Sequence, residues 1–92
     1  MDYLVTRHAR SRCTQRGIPQ RGVELLVAFG REAKAVGGAQ IIVLGRKERL
    51  ELESEFGHPA LARLRIESDT FAVTKDGCVL TVGHRLKPVK EL

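Results

Sequence analysis

The chain is expected to fold as an α+β domain, and three signals in its 92 residues predict it. Two short helix-forming segments at the start are bounded by Gly17, Pro19 and Gly30. Two β-rich pairs are each interrupted by residues that accept positive φ, Gly37-Gly38 and Asp76-Gly77. Between those pairs lies a stretch rich in Glu, Lys, Arg and Leu that lacks β-branched residues. The predicted order is two N-terminal helices, a β-hairpin, two short helices and a C-terminal β-hairpin. Their strands are expected to merge into one antiparallel sheet with helices packed mainly on one face.

Residues 6 to 16 predict the first helix, with Thr6 as cap and Gly17 as stop. Pro19 suits the first turn of a second helix, because the amide hydrogen it lacks has no partner there. Val23, Leu26 and Val27 give that helix its apolar face, and Gly30 ends it. Residues 31 to 36 and 40 to 44 form the first predicted hairpin around Gly37-Gly38. The segment 46 to 56 is read as a helix carrying Leu50, Leu52 and Phe56; an extended run over Arg49 to Glu53 is the alternative. Gly57 ends it, and Pro59 opens a short helix that turns Leu61, Leu64 and Ile66 toward the core, while His58 is taken as a turn residue. Thr70 to Thr74 and Cys78 to His84 form the last hairpin, and residues 86 to 92 are read as a loose tail.

One small domain over residues 1 to 92, with a single core, is what 92 residues at 42% hydrophobic content allow. No apolar run reaches the roughly 18 residues needed to cross a bilayer, so no membrane contact is expected. Two cysteines, Cys13 and Cys78, and a charged amino end read as a cytoplasmic protein with free thiols, each thiol a packing group rather than a nucleophile. The net charge of +5 favours polyanionic partners. Its distribution is uneven: Arg7, Arg10, Arg12, Arg16 and Arg21 face only Asp2 in the first 22 residues, whereas residues 46 to 69 are slightly acidic.

Helical spacing puts some of those cations beside the surface that must pack. Stepping about 100° per residue from Val5, Ala9 and Cys13 share a stripe with Arg16 and Arg12, and His8 lies at its border. His8, Arg12 and Arg16 thus form an i, i+4, i+8 row of donors suited to anionic oxygen. Two guanidinium forks that grip a phosphate while an imidazole moves a proton are one use of such a row. Alkyl stems laid on the core and paired with acids are the other. At the far end, Thr81-Val82-Gly83-His84-Arg85 closes a strand, with Thr81, Gly83 and Arg85 on one face and Leu80, Val82 and His84 on the other. Gly83 leaves room for a ligand or a neighbouring backbone.

Metal ligation is not expected, because His8, His58 and His84 share no ligand spacing and no CxxC is present. No phosphate-loop, dinucleotide or nucleophile-elbow motif occurs, and no cofactor is implied. Tyr3, Phe29, Phe56 and Phe71 are few and are assigned mostly to the core, which argues against an aromatic platform for single strands.

The run from Arg7 to Ile18 resembles the signature His-Ala-x-x-Arg-x-x-x-Arg-Gly-Ile of a bacterial and phage domain family of unknown function, and Asp76 to Arg85 is similar to that family's closing hairpin. Such a resemblance implies distant similarity to the RelE, barnase, EndoU and colicin-type ribonuclease toxins, small domains that cleave RNA without metal. It implies His8, Arg12, Arg16, Thr81 and His84 as site residues, joined by Arg85. The expected function is a metal-independent endoribonuclease-like domain of toxin type, with Arg7, Arg10, Arg85 and Lys87 adding nucleic-acid contacts. RNA and an acidic antitoxin protein are the expected partners. A non-catalytic nucleic-acid-binding or protein-interaction module using the same basic face is the alternative.

Overall fold

The computed structural model describes residues 3–64 and 69–84. Its elements are β1 (Leu4–Val5), α1 (Arg7–Arg16), α2 (Gln20–Phe29), β2 (Arg31–Lys34), a 3-10 turn (Val36–Gly38), β3 (Gln40–Val43), α3 (Arg46–Phe56), α4 (His58–Leu64), β4 (Thr70–Lys75) and β5 (Cys78–His84). The α+β class and the predicted succession of helices and hairpins are present. Leu64, Ile66, Arg85, Lys87 and the tail at 86–92 carry expectations that lie outside the described side chains.

The five strands form one sheet in the order β1-β5-β4-β3-β2. Four strands pair antiparallel as expected, but β1 lies parallel to β5, with Leu4 opposite Cys78 and Val5 opposite Val79. The sheet is therefore mixed rather than wholly antiparallel. Two residues carry no periodicity of their own, so β1 exists only because β5 presents a free edge to it.

Local chemistry sets most boundaries. Thr6 caps α1, its hydroxyl accepting from the Ala9 amide at 3.1 Å, and Gly17 closes the helix in the left-handed region at φ 67°. Asp76 and Gly77 both take positive φ, 51° and 77°, as a two-residue hairpin turn requires. His58 proves to be the first residue of α4, its ring Nδ1 lying 3.4 Å from Glu53.

One face of the sheet carries the core. Ile42, Ala72 and Val82 are fully buried in register across β3, β4 and β5, and they pack with Leu26, Leu52 and Leu61 from the helices. Of the three large apolar residues that α3 carries, Leu52 is buried, while Leu50 and Phe56 are 56% and 41% exposed. Phe56 instead meets Phe29 edge-to-face at 6.0 Å between centroids.

A bulge in β5 breaks the simple alternation expected there. Val73 pairs with Thr81 and Thr74 with Val79, which leaves Leu80 as the extra residue. Val79 and Val82, three apart, consequently both point into the core, and Leu80 does not share their face as alternation had implied. The Leu80 carbonyl accepts from the Thr6 hydroxyl at 3.3 Å, and the Thr6 amide donates to Val79 at 3.1 Å. One side chain therefore caps α1 and ties it to the bulge.

Thr6→Ala removes both bonds and should lower unfolding free energy by about 1–2 kcal/mol. Urea denaturation of Thr6→Ala beside Thr6→Ser checks it: serine should recover most of the loss, and an alanine variant as stable as the parent would show that the tie carries no energy.

Candidate nucleic-acid interface

The tie at Thr6 sets the direction of α1. From Thr6, beside Leu80, to Arg12, beside Gly83, the helix advances about 9 Å at ~1.5 Å per residue and the strand about 10 Å at ~3.3 Å per residue. Helix and strand therefore run side by side in the same direction, and α1 packs more extensively on β5 than on any other element. His8, about 3 Å into this run, lies abreast of Thr81. Arg12 and His8 are about 40° apart round the helix and share its flank.

Arg12 is half-buried, and its Nη2 comes within 3.8 Å of the point where a β-carbon on Gly83 would sit. Phe71 fills the other side of that point, with Cε1 at 3.2 Å and Cζ at 3.4 Å. Any larger residue at position 83 would displace the ring. The absent side chain leaves Nη2 of Arg12 and the ring of Phe71 each within 4 Å of one point over the strand.

Gly83 belongs to the sheet face opposite the core. Register places Phe71, Val73, Thr81, Ile41 and Ala33 on this outer face with it, all half-buried, together with buried Val43, whereas Ile42, Thr70, Ala72, Thr74 and Val82 on the inner face are sealed. The Thr81 hydroxyl has no hydrogen-bond partner among the described residues.

The arginine row divides. The stripe inferred from Val5 loses its reference, because Val5 is in β1, and only Ala9 and Cys13 of α1 are buried. Arg16, at the last turn, is exposed, as are His8, Arg7 and Arg10. Arg12 donates to Gln15 at 3.4 Å. None of Arg7, Arg10, Arg12 and Arg16 pairs with a carboxylate among the described residues, whereas Arg21, Arg31 and Arg49 do.

His84 is not brought to the same place. It follows Val82 on the inner face, opposite Thr70, and its Nε2 is buried without a hydrogen-bond partner among the described residues. The sheet itself separates it from Thr81 and Gly83. Arg85 and Lys87 lie outside the described residues. Two cavities near α1, of about 460 and 480 Å³, border Tyr3 and α2 in one case and Arg10, Thr14 and Pro19 in the other. Neither touches Arg12, Thr81 or His84.

The aromatics, expected mostly in the core, divide: Tyr3 and Phe29 pack against it, Phe56 is 41% exposed, and Phe71 stands on the outer face, outside the buried cluster. A signal for this exists in the sequence: β4 alternates small Thr70, Ala72 and Thr74 with large Phe71 and Val73, and a helix-covered face takes the small set.

Among the described residues, no three His, Cys, Asp or Glu side chains converge as a metal site requires, and no helix is long and apolar enough to cross a membrane. Comparison with protein-family models, curated proteins and solved structures finds no match to this chain.

Cys13 is 8% exposed, and burial pushes its thiol above the ordinary value. Native Cys13 should therefore alkylate at least about ten-fold more slowly than half-buried Cys78. The stability gained by keeping this thiol neutral is present in full below the unfolded value of 9.0 and is lost as pH rises through the higher folded value. Mass-resolved alkylation at pH 8 reads the difference; equal rates at the two thiols would contradict the packing described.

Proposed function

We propose that the chain is a metal-independent, endoribonuclease-like domain that engages RNA phosphodiesters at the corner between α1 and the outer face of β5. The observation that carries this reading is Arg12, a half-buried guanidinium without a carboxylate partner among the described residues, held over Gly83 beside a half-exposed sheet face. An unpaired cation that gives up part of its hydration is kept where an anion will replace the lost water. Arg7, Arg10 and Arg16 extend the positive surface along the same helix and supply backbone grip without sequence preference.

The chemistry that fits this corner is transphosphorylation. An unprotonated His8 imidazole takes the proton of a ribose 2′-hydroxyl, the oxygen attacks the adjacent phosphorus, and the 5′-oxygen leaves with a proton from solvent, giving a cyclic phosphate. Arg12 offsets the charge that builds on the non-bridging oxygens, joined by Arg16 at the mouth of the corner. Thr81 offers a hydroxyl to orient the ribose. His84, on the far face, has no part in this scheme, so one imidazole serves where the sequence suggested two.

The position of His84 also favours a second reading, a non-catalytic module that holds RNA on the same arginines without cutting it. Both readings require Arg12; only the first requires turnover.

The test pairs cleavage with binding. Arg12→Ala should slow RNA cleavage by about 10²–10³-fold while leaving the circular dichroism spectrum unchanged. It should also reduce the slope of log affinity against log salt by about 0.7, the loss of one phosphate contact on a single strand. Steep salt dependence without product supports the module. Arg12→Ala cleaving and binding as the parent does would remove this residue, and the proposed corner, from the account.

A further inference from the structure

We infer that the outer face of the sheet is a nucleobase platform on which Phe71 stacks the base of the nucleotide whose phosphate Arg12 holds. The inference rests on the RNA reading above and adds to it a binding residue and a recognition mode.

Three observations carry it. The first is proximity: the edge of the Phe71 ring and Nη2 of Arg12 lie 3.2 Å and 3.8 Å from one point above Gly83. A base and its phosphate are joined through a single sugar, so a ring that stacks the base and a cation that grips the phosphate must be close neighbours.

The second is the character of the face. Ile41, Val73 and Phe71 form a half-buried apolar floor, and no strand residue on this face is acidic. Lys75 lies along it, as does Arg31, which Glu48 holds at 3.3 Å, and Arg12, with no carboxylate partner among the described residues, borders it. An apolar strand surface with a guanidinium at its edge suits a ligand with an apolar ring and an anionic group. A nucleotide is such a ligand, whereas an apolar protein helix would leave Arg12 without an anionic partner.

The third is the placement of Thr81 on the same face, one side-chain position from Gly83, with its hydroxyl unpartnered among the described residues. It can donate to a base edge or a ribose oxygen beside the ring. Stacking accepts any base, because every base has a π-face, so the platform adds affinity with little sequence preference.

Two RNA probes and two variants test this. A short fluorescein-labelled single-stranded RNA is titrated by anisotropy beside an abasic ribose-phosphate strand of the same length. The parent protein should bind the intact strand about ten-fold more tightly than the abasic one. Phe71→Leu should remove most of that preference and leave abasic affinity unchanged. Phe71→Trp, the only tryptophan in the chain, should keep the preference, and its emission should be quenched as intact RNA saturates but not with the abasic strand.

A Phe71→Leu variant that keeps the full preference, or tryptophan emission indifferent to intact RNA, overturns the platform while leaving the phosphate grip standing. Failure of the parent protein to bind either strand overturns the RNA reading itself, and the platform with it.

Discussion

The arrangement depends on the two hydrogen bonds that one hydroxyl makes. Thr6 caps α1 through the Ala9 amide and donates to the Leu80 carbonyl that the β5 bulge leaves outside the ladder. A bulge carbonyl without a partner is costly beside packed structure, so satisfying it and starting the helix are one event. From that anchor the rise of helix and strand decides which residues meet, and Arg12 arrives at Gly83 rather than a turn earlier or later. The electrostatic character of the corner follows from the backbone connection.

The sheet is built with unlike faces. Small side chains at Thr70, Ala72 and Thr74 let the helical layer approach β4 closely, and Phe71 and Val73 are turned outward. An apolar surface is left half-exposed next to the most basic helix of the chain. Apolar exposure of this kind lowers stability, and it lies beside Arg12, a guanidinium without a carboxylate partner among the described residues, where the proposed nucleotide contact gives it a use. Acidic residues gather elsewhere: Glu48 and Glu53 are engaged by Arg31, Arg49 and His58, away from α1.

Much of the architecture could be read from local chemistry. Gly17, Pro19, Gly30 and the Asp76-Gly77 turn each do one thing well, and the elements begin and end beside them. Strand β1 could not be read, since Leu4 and Val5 become a strand only when β5 is beside them. The Leu80 bulge was equally hidden, because the spacing of Val79 and Val82 makes sense only after the register with β4 is known. Of the candidate site, the meeting of α1 with the last strand was visible in the placement of Arg12 and in the gap at Gly83. The outward turn of Phe71 was not, because apolar residues occupy both faces of β4 and periodicity alone does not say which the helices cover. His84 was legible as a strand end, but its isolation from Thr81 has functional meaning only once the helical layer is placed.

The claim that α1 and the outer face of β5 form a single anion-receiving surface is tested most directly by following backbone amide resonances as a short single-stranded RNA is added. The account predicts perturbations concentrated at His8, Arg12, Phe71, Thr81 and Gly83, with the α3 amides from Arg46 to Phe56 unmoved. Perturbations centred on α3, or none at all at saturating RNA, would contradict it.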